Sequence, residues 1–244
     1  MSPELARAAG TTVKICGLMS VPMIESMLHL PIDHIGFIFA PSKRQVTAEL
    51  AKDMIEAVRK KAGRRPLTFG VFVNPSMEQL EQLLAVAPLD VVQLHGQETP
   101  EFCRLVKERL PVDVYKVFSV SESASAESAF KGEKAEDRQS AEAIAAQLEP
   151  YRGCIDGMLL DTYDPIVGGG TGKAFAWDRI PPYTAWADQV GIPLLVAGGL
   201  DADNVQGLVS AFRPNGVDVS SGVETNGAKD IAKITAFVER VKRS

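Results

Sequence analysis

The sequence predicts an α/β fold of eight repeated βα units closed into a single (βα)8 barrel, with a doubly wound open sheet as the competing arrangement. Three observations predict it. Short apolar runs alternate with longer amphipathic stretches along the whole 244-residue chain. Most of these runs are rich in Val, Ile and Phe, the pattern of parallel strands covered by helices. The repeat is about 29 residues once a short head is set aside, a normal length for a strand and its crossover helix.

In chain order the strand candidates are Thr12 to Cys16, Ile35 to Phe39, Thr68 to Val73, Val91 to Leu94, Val114 to Phe118, Gly157 to Asp161, Ile192 to Ala197 and Gly216 to Ser220. Between them, Met54, Ile55 and Val58 recur at helical spacing. So do Leu80, Leu83 and Leu84, and later Ile231, Ile234 and Phe237, each marking one apolar helix face. The fifth unit is oversized. Residues 121–150 hold seven acids and three bases, nearly all of the net charge of −5. The first half of this stretch reads as a low-complexity surface loop, and Ala135 to Leu148 as a polar helix. The expected organisation is a flexible extension at residues 1–11 and one barrel over 12–244, with an acidic insertion at about 121–150.

Composition excludes several classes. A hydrophobic share of 45% and a charged share of 23% rule out a disordered or fibrous chain. The net negative charge argues against a general nucleic-acid binder. No apolar run approaches the roughly 20 residues of a membrane helix, and the opening MSPELARAAG lacks the apolar core of a signal peptide. Cys16, Cys103 and Cys154 are too widely spaced for a disulfide framework or a zinc site. No pair among His29, His34 and His95 has metal-ligand spacing. A reducing cytoplasm is the expected location, with no metal, no nucleic acid and no membrane as partner.

In a barrel the chemistry lies where the strands end. Cys16 ends the first run and Asp161 the sixth. A cysteine there is either a buried apolar thiol or a base. An aspartate there is either a turn cap or a general acid under a closing loop. Alternation sends Lys14 to the same face as Cys16. The expected counter-charge for Lys14 is Asp218, because first and last strands are neighbours in a closed barrel. Gly198-Gly199 and Ser220-Ser221-Gly222 end the last two runs. Asp201 to Asn204 reads as a helix start directly after the glycines. Small residues at loops seven and eight suit a phosphate, against the plainer reading of two tight turns. Arg44 follows the second run, and a guanidinium there clamps a carboxylate or merely faces solvent. His95 ends the fourth run. The glycine stretch Gly168 to Lys173 fits neither a P-loop nor GxGxxG, since Val167 and Ala174 stand at required positions and Lys173 replaces the last glycine. It reads as a flexible loop.

These pieces carry a resemblance. Lys14-Ile15-Cys16-Gly17, Gly36 to Phe39, Ser42-Lys43-Arg44, Gly70 to Asn74, Val92 to Gly96, Leu160-Asp161-Thr162, Gly169 to Lys173, Gly198-Gly199-Leu200 and Val217 to Glu224 together resemble phosphoribosylanthranilate isomerase of tryptophan biosynthesis. The resemblance runs in order from residue 12 to about 240. It implies a single (βα)8 TIM barrel that performs an Amadori rearrangement of a small-molecule substrate without a cofactor, as a monomer or homodimer. It implies Asp161 as general acid and Cys16 as general base. Arg44 would hold the anthranilate carboxylate, and Gly199, Ser220, Ser221 and Gly222 the phosphate, with Gly198 beside them. Lys14, His95 and Asp218 are expected in support. A thiol base is expected to have a lowered pKa. The alternatives are the related ProFAR isomerase of histidine biosynthesis, whose first strand ends in aspartate, and a non-catalytic barrel that binds a phosphorylated ligand. A thiol redox protein lacks its CxxC pair.

Overall fold

The computed structural model describes residues 10–120, 133–161 and 177–244, with side chains of the helix opening at Glu133 described from residue 141 onward. The glycine stretch Gly168 to Lys173, residues 1–9 and the low-complexity stretch 121–132 lie outside the described residues. Eight strands form a closed barrel in sequence order. They are β1 (Thr12–Cys16), β2 (His34–Ile38), β3 (Leu67–Phe72), β4 (Val91–Leu94), β5 (Asp113–Ser119), β6 (Gly157–Asp161), β7 (Leu194–Ala197) and β8 (Gly216–Val219). Every barrel pairing is parallel, and β8 returns to β1. This excludes the open sheet.

The helices are α1 (Val21–Met27), α2 (Ala48–Arg59), α3 (Met77–Val86), α4 (Pro100–Arg109), α5 (Glu133–Leu148), α6 (Ile180–Val190), α7 (Val205–Phe212) and α8 (Ile231–Lys242). Several starts are written in the sequence as caps. Thr47, Ser76, Thr99 and Asp230 each accept a backbone N–H of the first turn. Asp201 to Asn204 does not begin a helix as the sequence reading expected. It forms a turn in which Asp201 Oδ1 accepts from Asp203 N and Asn204 N, and α7 begins only at Val205. The aspartate bonds the local backbone in place of a helix turn. A short hairpin, β9 (Glu224–Thr225) and β10 (Ala228–Lys229), follows β8. Its two-residue turn is Asn226-Gly227, both at positive φ, the conformation that asparagine and glycine favour.

Alternation divides the core. Phe69, Val91, Tyr115, Val117, Leu159, Leu195 and Ala197 fill the barrel interior. The intervening strand residues, such as Ile15, Ile35 and Phe37, pack outward against the helices. The N-terminal rim is tied by a device repeated four times. The residue just before each even-numbered strand accepts the first available N–H of the strand before it. Asp33 takes Val13 N, Asp90 takes Thr68 N, Asp156 takes Val114 N and Asn215 takes Leu194 N, at 2.8–3.0 Å. These rim N–H groups would otherwise lack a ladder partner.

Asp90→Ala is expected to cost about 1–3 kcal/mol at neutral pH, the scale of leaving such donors unmatched. Burial pushes the Asp90 pKa up, but Arg65 and Thr68 outweigh it and hold it below the ordinary value. Its stabilisation is full above the unfolded-chain pKa of about 3.9 and fades as pH falls through the lower folded value. Urea unfolding of both proteins should show the gap narrowing as pH falls below the ordinary aspartate range; an equal gap at neutral and acid pH contradicts it.

Candidate active site

At the C-terminal mouth of the barrel polar side chains stand among apolar ones. Cys16, His95, Asp161, Ser220 and Ser221 line one cavity of about 440 Å3, together with Arg44, Gly198 and Gly199. Its volume suits a small ligand. Gln93, Leu159 and Asp218 also line it, one inward position further down their strands.

Cys16 stands on a charged base. Lys14 Nζ lies 3.0 Å from Asp218 Oδ1, and both side chains are buried. The register places Lys14 opposite Asp218 on one side and His34 on the other. Burial pushes the Lys14 ammonium toward neutrality, but Asp218 and Cys16 outweigh it, so its pKa stands above the ordinary lysine value. Burial holds His34 at about 4, so it stays neutral at ordinary pH. The Cys16 thiol departs from expectation. Burial pushes it up; Lys14 pulls it down, Asp218 pushes it up again and Lys229 pulls it down. The balance lies above the ordinary thiol value, not below it. Burial is the largest influence, and Asp218 offsets part of the help Lys14 gives. Gly36, opposite Cys16 in the register, makes room for the sulfur. A Cβ there would lie 2.7 Å from Sγ and 3.2 Å from Lys14 Nζ.

Asp161 ends β6, and His95 Nε2 lies 3.3 Å from its Oδ2. The loop carrying His95 is fixed from behind. Buried Glu98 accepts Asn74 N at 2.8 Å and Gly96 N at 2.9 Å. Lys116 Nζ pairs with Glu98 Oε2 at 3.1 Å and donates to Gly96 O at 2.8 Å. The residue after His95 is thus held through both its N–H and its carbonyl.

Arg44 reaches the cavity through a tight turn. Gln45 N donates to Ser42 O, and Arg44 N to Ser42 Oγ. Glycine is required at position 17, where φ is +77° and a Cβ would lie 2.7 Å from Arg44 Cδ. The guanidinium bonds Glu224 through Nε and Nη2. Gly198 and Gly199 also adopt positive φ. Gly222 does not line the cavity. A Cβ there would run into the Leu200 carbonyl, so its place is to let the short turn at Ser221–Val223 sit against loop seven.

The family model described as N-(5'phosphoribosyl)anthranilate (PRA) isomerase matches residues 13–240. The chain belongs to this family. It is 43% identical over 232 residues to the N-(5'-phosphoribosyl)anthranilate isomerase of Brevibacillus brevis, across 95% of this chain and 94% of that one. The Geobacillus thermodenitrificans enzyme of the same name is 35% identical, across 95% and 94%. Phosphoribosyl anthranilate isomerase from Thermotoga maritima superposes with a TM-score of 0.73 at 32% identity, covering 96% of this chain and all of that one. A further isomerase structure, in complex with reduced 1-(o-carboxyphenylamino)-1-deoxyribulose 5-phosphate, has a TM-score of 0.71 at 30% identity and the same coverage. None of these findings favours the histidine-pathway or binding-only alternative.

Within this phosphoribosylanthranilate isomerase barrel, every expected site residue except Lys14 and Gly222 lines the one cavity, and Lys14 lies beneath it. The sequence reading gave no role to Glu224, Lys229, Glu98 or Lys116. Asn226-Gly227 was the signal for the hairpin that carries two of them. It also left Gly36 without a reason. Gly36→Ala is expected to displace the sulfur and lower kcat by roughly 100-fold, the scale of a lost acid–base group. Steady-state kinetics on the folded variant checks this; unchanged kcat contradicts it.

Proposed function

We propose that the chain converts N-(5'-phosphoribosyl)anthranilate to 1-(2-carboxyphenylamino)-1-deoxyribulose 5-phosphate in L-tryptophan biosynthesis, with Asp161 as general acid and Cys16 as general base. One observation carries this reading. A carboxyl from β6 and a thiol from β1 line a single cavity that loops seven and eight also border.

Asp161 gives its proton to the furanose ring oxygen. The bond from C1′ to that oxygen breaks, and the nitrogen lone pair completes a protonated Schiff base. Cys16, as thiolate, takes the C2′ proton. Those electrons form the C1′–C2′ double bond, and the C=N electrons return to nitrogen, giving an enolamine. Tautomerisation moves the enol proton to C1′ and leaves a ketone at C2′. C2′ is oxidised and C1′ reduced within one molecule, so the chemistry needs no cofactor. One proton passes from Cys16 back to Asp161 through solvent to reset the site. His95, 3.3 Å from Asp161, is within reach to relay it.

Arg44 holds the anthranilate carboxylate. Backbone N–H groups at Gly198, Gly199, Ser220 and Ser221 hold the phosphate, with Gly222 shaping the turn. Among the described residues no helix is long and apolar enough to cross a membrane. We read the protein as a cytoplasmic enzyme, monomeric or homodimeric, whose partner is this small-molecule substrate.

Cys16→Ala and Asp161→Asn should each lower kcat by about 100-fold or more. Turnover near that of the unaltered protein removes the substituted residue from the mechanism. Arg44→Ala should mainly raise KM. Because the thiol pKa is raised, turnover should climb with pH as Cys16 ionises. The functional test is growth of a tryptophan auxotroph lacking this step. Rescue by the unaltered chain and failure of the Cys16→Ala, Asp161→Asn double variant are expected; no rescue by the unaltered chain overturns the reading.

A further inference from the structure

The mechanism leaves a buried charged trio unexplained. The Asn226-Gly227 turn sets the hairpin register so that Lys229 lies opposite Glu224. Glu224 Oε1 accepts from Arg44 Nε, and Oε2 from Nη2 at 2.8 Å. Lys229 Nζ donates to Glu224 Oε1 at 2.9 Å, to Ser220 O at 2.9 Å and to Ser220 Oγ at 3.3 Å. The Glu224 and Lys229 side chains are almost wholly covered.

The geometry of a guanidinium makes this informative. Its five N–H groups form a rigid fork with two edges that match a carboxylate. Glu224 takes the Nε–Nη2 edge. The end-on edge of Nη1 and Nη2 has the geometry for a second carboxylate. Charge follows the same logic. Glu224 alone cancels Arg44, and an anion gains little from a neutral pair. Lys229 restores one net positive charge and joins the trio to the strand-end serine of the phosphate side. Burial would push the Glu224 carboxyl up, but Arg44 and Lys229 outweigh it and hold it near 2, so Glu224 stays ionised across the working pH range.

We propose that Glu224 is a positioning residue for substrate binding: it fixes Arg44 so that its end-on edge meets the substrate carboxylate, while Lys229 keeps the trio cationic. The proposal rests on the reaction assigned above. It makes a prediction opposite in sign to simple electrostatics. Removing a negative charge from beside an anion site tightens binding if charge alone governs it. Removing the group that orients Arg44 weakens binding.

The test is steady-state turnover of N-(5'-phosphoribosyl)anthranilate by the full chain, by Glu224→Gln, by Arg44→Ala and by the double variant. Inhibition by inorganic phosphate serves as the readout of an intact fold and phosphate side. Glu224→Gln is expected to raise KM about tenfold, the scale of a hydrogen bond to a charged group, with kcat within about threefold. In the Arg44→Ala background the same change should alter KM less than about twofold, because Glu224 acts through Arg44. The phosphate inhibition constant should stay within about twofold throughout. An unchanged or lower KM in Glu224→Gln overturns the proposal. So does an equal loss without Arg44, or a phosphate constant that rises in step. If Glu224→Gln does not fold, Lys229→Met decides: KM must rise, and Lys229→Arg must restore it. A KM for Lys229→Met equal to that of the unaltered chain overturns the proposal. An unaltered chain that does not turn over this substrate overturns the assigned reaction and the proposal with it, a result distinct from any variant comparison.

Discussion

The buried contact between Lys14 and Asp218 is the constraint on which the mouth of the barrel depends. It closes the seam between the first and last strands with charge where most of the interior uses apolar and aromatic side chains. Such a pair is a poor source of stability, since desolvating both ions costs several kcal/mol. An apolar pair of similar volume would close the seam about as well. The pair instead fixes an ammonium directly beneath a thiol. Two residues along the same strand, alternation turns Cys16 to the same face, and Gly36 leaves the sulfur its space.

The two rims of the barrel follow different rules. At the N-terminal rim, Asp33, Asp90, Asp156 and Asn215 repeat one job of tying neighbouring strands. At the C-terminal rim the polar side chains are of several kinds, and two of them, Asp161 and Arg44, have charged or titratable partners. Asp161 has His95 beside it, and the loop of His95 is gripped by Glu98 and Lys116. Arg44 has Glu224 behind it, and Glu224 has Lys229. Cys16, Arg44 and Asp161 line the shared cavity, while Glu98, Lys116, Glu224 and Lys229 have nearly covered side chains and do not line it.

The eight strands were legible because each is a short apolar run, and their ends shifted by at most two residues. The Lys14–Asp218 contact was legible because alternation and ring closure leave few partners for a charge inside a strand. The sign of the Cys16 shift was not, because burial raises it while Lys14 and Asp218 pull in opposite directions, and only the folded arrangement decides which wins. Glu224 lies 180 residues from Arg44 in sequence, and no local pattern connects them. The late start of α7 was hidden for a different reason. Asp201 caps its own turn, and an aspartate before a helix looks the same in sequence whether it caps the helix or a turn ahead of it.

The central claim is that two opposed charges adjust, in opposite directions, the proton affinity that burial gives one sulfur. It is tested most directly by titrating the Cys16 thiolate through its ultraviolet absorbance, taken as the difference from Cys16→Ser to remove the other two thiols. Lys14→Met should move the titration to higher pH and Asp218→Asn to lower pH, each relative to the unaltered protein. Shifts in the same direction, or no shift in either, would contradict the account.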